Sequence, residues 1–68
     1  MSGYILWGWT SRWHIKPSPI PVMAGTLREC WSREKQFRKD YSDALTGIYS
    51  QVDSPEGLAL QVKERVSE

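Results

Sequence analysis

Three tryptophans, Trp7, Trp9 and Trp13, fall within seven residues of a chain that has 68 residues and four tryptophans in all. A large aromatic side chain buries roughly 150–250 Å² when it packs, whereas a chain of this length buries only about 60% of its unfolded surface. These tryptophans must therefore either supply much of a thin core or stay exposed to meet a partner. The length predicts one domain over 1–68.

The residues around these tryptophans alternate in the manner of β-strands. Two runs rich in aromatic and β-branched residues flank a short polar stretch, which predicts an N-terminal Trp-rich β-hairpin over 3–16. A helix is the alternative, because Ile5, Trp9 and Trp13 are spaced four residues apart. An isolated hairpin is only marginally stable in water, so we expect it to pack on the rest of the chain.

Prolines then alternate with other residues at Pro17, Pro19 and Pro21. Proline fixes the backbone φ angle and removes a hydrogen-bond donor, and it pushes the residue before it out of the helical region. We therefore predict an extended connector over 17–23, whose prolines are able to stack on the tryptophans.

Helical signals follow the connector. Thr26 and Glu29 have the spacing of a capping box, and apolar residues then recur near the helical period as far as Gly47, a residue type typical of helix ends. The pattern predicts a long helix over 26–47. Trp31 belongs to its apolar stripe and is predicted to lie in the core.

A second helix is predicted over 55–66. Ser54 is suited to the N-cap, Pro55 to the first helical position and Glu56 to the positive end of the helix dipole. Its predicted apolar stripe consists of Leu58, Ala59, Val62 and Val66. Together these elements predict a small α+β fold with a hairpin, a proline-rich connector and two helices.

Charge is distributed unevenly along the chain. Residues 1–39 carry seven Lys or Arg and two Asp or Glu, a net charge of +5, whereas residues 40–68 carry two and six, a net charge of −4. Cations close to aromatic side chains suit nucleic acid, although an isoelectric point of about 7.9 is low for that function. The alternative function is a small nucleic-acid-binding regulator that uses Arg28, Arg33, Lys35, Arg38 and Lys39.

The sequence lacks the residues that catalysis and metal binding require. His14 and Cys30 are the only histidine and the only cysteine, so neither a disulfide nor a Cys/His metal set is expected. Cys30 lies on a predicted apolar stripe, where an inert structural thiol is usual. We therefore predict no enzymatic activity, no cofactor and no metal site.

The leading prediction is a small non-enzymatic interaction protein, such as an adaptor, an inhibitor or an accessory subunit. Chains of this size without catalytic groups are often encoded by phages or mobile elements. A homodimer is an alternative partner arrangement, since twofold symmetry needs only one self-complementary surface. The predicted protein contacts are Tyr4, Leu6, Trp7, Trp9 and Trp13.

Membrane insertion is not expected. No apolar run approaches the roughly 18 residues that span a bilayer, and the apolar stretch near the N-terminus is shorter than the core of a signal peptide. A lone cysteine suits a reducing compartment. The predicted location is the cytoplasm.

Overall fold

The computed structural model describes residues 3–13 and 18–67. The described residues contain three strands and two helices, in the order β1 (Tyr4–Trp9), β2 (Ile20–Gly25), α1 (Leu27–Asp40), β3 (Leu45–Ser50) and α2 (Glu56–Ser67). The strands form one sheet in the order β2-β1-β3, and β1 is antiparallel to both of its neighbours. The predicted small α+β fold, with an N-terminal antiparallel hairpin and two helices, is confirmed.

The hairpin's second strand lies later in the chain than the sequence suggested. The neighbours of β1 are β2 and β3, which occupy both of its edges. The second run of the predicted 3–16 hairpin begins at Trp13, which is in no strand. The remaining residues of that run, 14–16, lie outside the described residues. Most of the predicted connector, from Ile20 onward, is β2. An edge strand tolerates Pro21 because it pairs on one side only.

The first helix is shorter than the predicted 26–47. Its capping box is present, with Thr26 Oγ1 accepting from the Glu29 amide at 3.2 Å and Glu29 Oε1 accepting from the Thr26 amide at 3.0 Å. The helix ends at Asp40, and Tyr41 is extended. Leu45–Ser50 are not helical but form β3, because pairing with the central strand β1 overrides a short run of helical spacing.

The second helix begins one residue later than the predicted 55–66 and ends one residue later. It starts where Ser54 and Pro55 predicted an N-terminus, and it buries Leu58 and Val62. Val66, predicted to lie on its apolar stripe, is exposed.

The two helices cover opposite faces of the sheet. A Cβ atom added to Gly8 would lie 3.0 Å from Cε2 of Phe37, so Gly8 faces α1 and lets the ring approach the backbone. Thr46 is the β3 partner of Gly8. Tyr49 lies three residues after Thr46 and therefore points to the other face, where its hydroxyl accepts the backbone N–H of Leu58 in α2 at 3.1 Å.

The core lies mainly between α1 and the sheet, with a smaller part under α2. Phe37 is 2% exposed and contacts two rings, edge-on to Trp13 at a centroid distance of 5.7 Å and tilted against Tyr41 at 5.0 Å. The buried side chains include Leu6, Trp9, Thr10, Cys30, Phe37, Leu58 and Val62, together with Pro19 just before β2. Apolar burial of this kind is the main favourable term in folding.

A carboxylate in the α1–β3 turn ties that turn to the end of β1. Asp43 Oδ1 accepts from the Thr10 hydroxyl at 2.7 Å, and Oδ2 accepts from the Ser11 backbone amide at 2.9 Å and from the Ser11 hydroxyl. The Ser11 and Thr10 hydroxyls lower the pKa of Asp43 to about 2, from an ordinary value of 3.8. The ionised carboxylate therefore stabilises the folded chain.

We expect this network to set the acid stability of the fold. Because the folded pKa of Asp43 lies below its unfolded value, its contribution is complete above about pH 4 and is lost as the pH falls toward about 2. Asp43→Asn should cost about 1 kcal/mol at neutral pH, less than the pKa difference alone implies, because the carboxylate is partly solvated. Thermal unfolding followed by circular dichroism at a series of pH values measures both effects.

The matched control is Asp53→Asn, which removes an exposed carboxylate that accepts from a single hydroxyl, that of Ser50, at 3.1 Å. This control should retain the acid-dependent loss of stability seen in the wild type, whereas Asp43→Asn should flatten it. An unchanged acid profile in Asp43→Asn would contradict the assignment.

Candidate interaction surface

Two of the five predicted protein contacts are core residues. Leu6 is fully buried and Trp9 is 5% exposed, so in this fold neither offers a free side-chain surface to a partner. The reason is that both faces of the sheet carry a helix, whereas the predicted hairpin left one face uncovered. Leu6 lies on the face that α1 covers, and Trp9 pairs with Leu45 of β3.

The other three predicted contacts, Tyr4, Trp7 and Trp13, are half-buried. Trp13 packs edge-on against Phe37, and its ring centroid lies 6.2 Å from that of Tyr41. Trp7 shares the lining of a hollow of about 310 Å³ with Pro19 and the start of α2. Its indole N–H is buried and has no hydrogen-bond partner among the described residues. These residues are thus built into the fold and retain limited accessible surface.

The largest exposed aromatic side chain of the described residues is Trp31, which was predicted to lie in the core. It is 58% exposed, whereas Cys30 and Phe37 of the same helix are buried. Cys30 and Phe37 are seven residues apart and define the line of α1 that faces the sheet. Trp31 is about 100° further round the helix than Cys30, because each residue turns an α-helix by that angle.

Cations surround Trp31 on the solvent side of α1. Arg28, Lys35 and Arg38 stand three, four and seven residues from it, which are the spacings of one helix face, and all three are exposed. Arg38 is held beside β3, where its Nε donates to the Thr46 hydroxyl at 3.0 Å. We define the aromatic–basic face of α1 as Arg28, Trp31, Lys35, Arg38 and Lys39.

Two of the three acidic residues of α1 lie outside this face. Glu29 is engaged in the capping box, where the Thr26 backbone N–H lowers the pKa of its carboxyl, and Asp40 accepts from Gln36 Nε2 at 3.0 Å. Glu34, three residues after Trp31 and four before Arg38, borders the face and is half-buried. Four cations against this one bordering acid leave the face cationic on balance.

The predicted nucleic-acid residues do not all lie together. Arg28, Lys35, Arg38 and Lys39 belong to the aromatic–basic face, whereas Arg33 lies on the flank of α1 that faces β2 and is half-buried there. The helical spacing of Trp31 from Arg28, Lys35 and Arg38 was readable in the sequence. This spacing identifies the face as soon as Trp31 is assigned to the surface of α1 instead of the core.

Cys30 is unsuited to nucleophilic catalysis. Its side chain is fully buried, and burial raises the pKa of the thiol, with a further contribution from the neighbouring Glu29. A reactive cysteine requires the thiolate and therefore a lowered pKa. In the part of the chain that the structure describes, no group of three or more His, Cys, Asp or Glu side chains is arranged to hold a metal ion.

Neither α1 nor α2, the helices of the described residues, is long and apolar enough to cross a membrane. The sequence matches no protein-family model, and no significant match was found among curated proteins or solved structures.

Proposed function

We propose that this chain is a non-enzymatic interaction protein that binds a protein partner through the aromatic–basic face of α1. One observation carries the proposal. Trp31 is 58% exposed in a chain that buries Trp9 almost completely. Tryptophan is enriched among the residues that dominate binding energy at protein interfaces. An exposed indole on a rigid helix is therefore a suitable anchor for a partner.

The cations around Trp31 support an acidic partner surface. Arg28 and Lys35 flank the indole. Glu29 and Asp40 are hydrogen-bonded, and Glu34 is a half-buried acid at the margin of the face. Complementary charge speeds encounter and rejects wrong partners more than it adds affinity. In this proposal Trp31 supplies most of the affinity, and the cations supply selectivity for an acidic surface. The role would be that of an adaptor, an inhibitor or an accessory subunit, and we propose a cytoplasmic location.

Trp31→Ala should weaken partner binding by at least about 30-fold, since truncation of a central interface tryptophan commonly costs about 2 kcal/mol or more. The partner would be captured from an extract of the source cells on immobilised wild-type chain and identified by mass spectrometry. Its dissociation constant for each variant would then be measured by isothermal titration calorimetry.

Leu60→Ala is the matched control, because Leu60 is 61% exposed on α2 and is also a large apolar side chain. This control should bind as the wild type does. Equal affinities for wild type and Trp31→Ala would exclude the aromatic–basic face as the contact.

Nucleic acid is the second candidate partner for the same face. The observation that favours it is an exposed indole among cations that outnumber the single bordering acid, Glu34, because cations neutralise phosphates and aromatics stack on unpaired bases. A net charge of +1 and the convex surface of a single helix favour a protein instead.

Salt dependence tests this second candidate. If Arg28, Lys35, Arg38 and Lys39 each neutralise one phosphate, the affinity for a single-stranded oligothymidylate should fall with log salt at a slope of about −3. Quenching of tryptophan fluorescence follows the titration, and Lys35→Gln should make the slope shallower by about 0.7. Absence of binding at low salt removes this candidate.

A further inference from the structure

We propose that the free edge of β2, together with the groove between β2 and α1, binds an extended acidic peptide of a partner protein as an added strand. This site shares Arg28 with the aromatic–basic face, but it is built around Arg33 and does not involve Trp31. Addition of a peptide strand to an open sheet edge is a recurrent mode of recognition, in which main-chain hydrogen bonds supply affinity and side-chain pockets supply specificity.

β2 presents an unpaired edge. Among the strands of residues 3–13 and 18–67, in the order β2-β1-β3, it pairs with β1 alone, so within that part of the chain the main-chain groups on its other side have no strand partner. Pro21 has no backbone N–H, so the N–H donors on the free edge come from among the residues Val22 to Gly25. Ala24, in this part of the strand, is exposed.

β3 is the other edge of the sheet, but its surroundings are less open. Arg38 of α1 reaches across to bond Thr46 at 3.0 Å, and Tyr49 bonds the first turn of α2. On each face of the sheet, β3 is thus joined by a hydrogen bond to a helix, α1 on one face and α2 on the other. Beside β2, in contrast, there is an open groove.

The groove has a volume of about 510 Å³ and lies between Met23 of β2 and one flank of α1. The α1 residues that line it are Arg28, Glu29, Ser32, Arg33 and Gln36. A strand added to β2 would lie about 4.8 Å from it. Its alternate side chains on the α1 side of the sheet would enter the groove.

Charge in the groove favours an acidic peptide. Arg33 is half-buried, and its NH1 atom is buried without a hydrogen-bond partner among the described residues. Because NH1 has no surface open to the groove, a carboxylate there would pair instead with the guanidinium charge of Arg33, whose side chain lines the groove. The acid already present, Glu29, accepts from the Thr26 backbone. Arg28 and Arg33 therefore outweigh it.

The test uses capped six-residue peptides labelled with fluorescein, in which Val alternates with Glu, Gln or Lys. Fluorescence anisotropy measures binding to the full chain. We expect the Glu peptide to bind at least 10-fold more tightly than the Gln peptide and the Lys peptide to bind least. The Glu peptide should also shift the amide NMR signals of Ala24 and Gly25. Methylation of its alternate backbone nitrogens should abolish binding.

Arg33→Gln should weaken the Glu peptide at least 10-fold, whereas Lys35→Gln, which removes an exposed cation outside the groove, should not. Trp31→Ala should leave this binding unchanged, so failure here is distinguishable from failure of the proposed function. Circular dichroism verifies that each variant is folded. No binding at millimolar peptide, equal binding of the methylated peptide, or equal binding of the Lys peptide would overturn the proposal. Occupation of the edge by a second copy, detected as dimerisation that blocks the peptide, would also overturn it.

Discussion

Phe37→Ala is expected to lower the free energy of unfolding by about 3–5 kcal/mol. Phe37 is 2% exposed, lies over Gly8 of the central strand and contacts the rings of Trp13 and Tyr41. Removal of the ring leaves a cavity where α1, the sheet and the end of β1 meet. A domain of 68 residues has a total stability of roughly 3–10 kcal/mol, so a large part of the population should unfold at room temperature.

Urea unfolding followed by circular dichroism measures this loss. Lys35→Ala is the control on the same helix, because Lys35 is exposed and its replacement should change the free energy of unfolding by less than about 0.5 kcal/mol. Phe37→Leu, which keeps an apolar side chain at the site, should fall between them. Equal midpoints for Phe37→Ala and Lys35→Ala would show that α1 does not pack on β1 as described.

Trp9→Ala and Trp31→Ala are expected to differ greatly in their cost to stability, although both remove an indole. Trp9 is 5% exposed and Trp31 is 58% exposed. Loss of the buried ring should cost about 3–5 kcal/mol, whereas loss of the exposed ring should cost less than about 0.5 kcal/mol.

Intrinsic fluorescence gives an independent measurement of the same contrast. Iodide should quench part of the wild-type emission, and the quenchable part should fall strongly in Trp31→Ala, leaving the smaller contribution of the half-buried Trp7 and Trp13. Comparable destabilisation by Trp9→Ala and Trp31→Ala, or unchanged quenching in Trp31→Ala, would mean that the two indoles do not differ in exposure.

Features set by neighbouring residues could be predicted from the sequence. The reciprocal bonds of Thr26 and Glu29 fix the start of α1, and Ser54 with Pro55 fixes the start of α2 within one residue. Strand β1 could also be predicted, because its aromatic and β-branched residues favour extended backbone. Each of these signals acts over a few residues.

The third strand could not be predicted in this way. Leu45 and Ile48 are three residues apart, a spacing that continues a helical stripe as well as it fits a strand. Pairing with β1 makes this segment a strand, and Leu6 of β1 pairs with Ile48, which lies 42 positions later in the chain. The local sequence pattern carries no information about such a long-range contact. Pro21 similarly obscured β2, because proline excludes central strands but not edge strands.

The error at Trp31 is one of position around the helix. Trp31 follows Cys30 directly and is apolar, but it lies about 100° round the helix from that residue. A helix that ends at Asp40 has its inward direction set by Cys30 and Phe37. With that direction fixed, Trp31 faces solvent beside the cations of α1, and together they form the candidate binding face.

Photocrosslinking beside Trp31, with the indole left in place, tests the proposed binding surface most directly. Benzoylphenylalanine would replace Lys35, which is exposed on the aromatic–basic face, in one variant and Val66, which is 51% exposed on α2, in another. On irradiation in source-cell extract we predict one dominant protein adduct from position 35, which excess wild-type chain suppresses and excess Trp31→Ala does not, and no such adduct from position 66. The same adduct from both positions, or none from position 35, would contradict a partner bound through the aromatic–basic face.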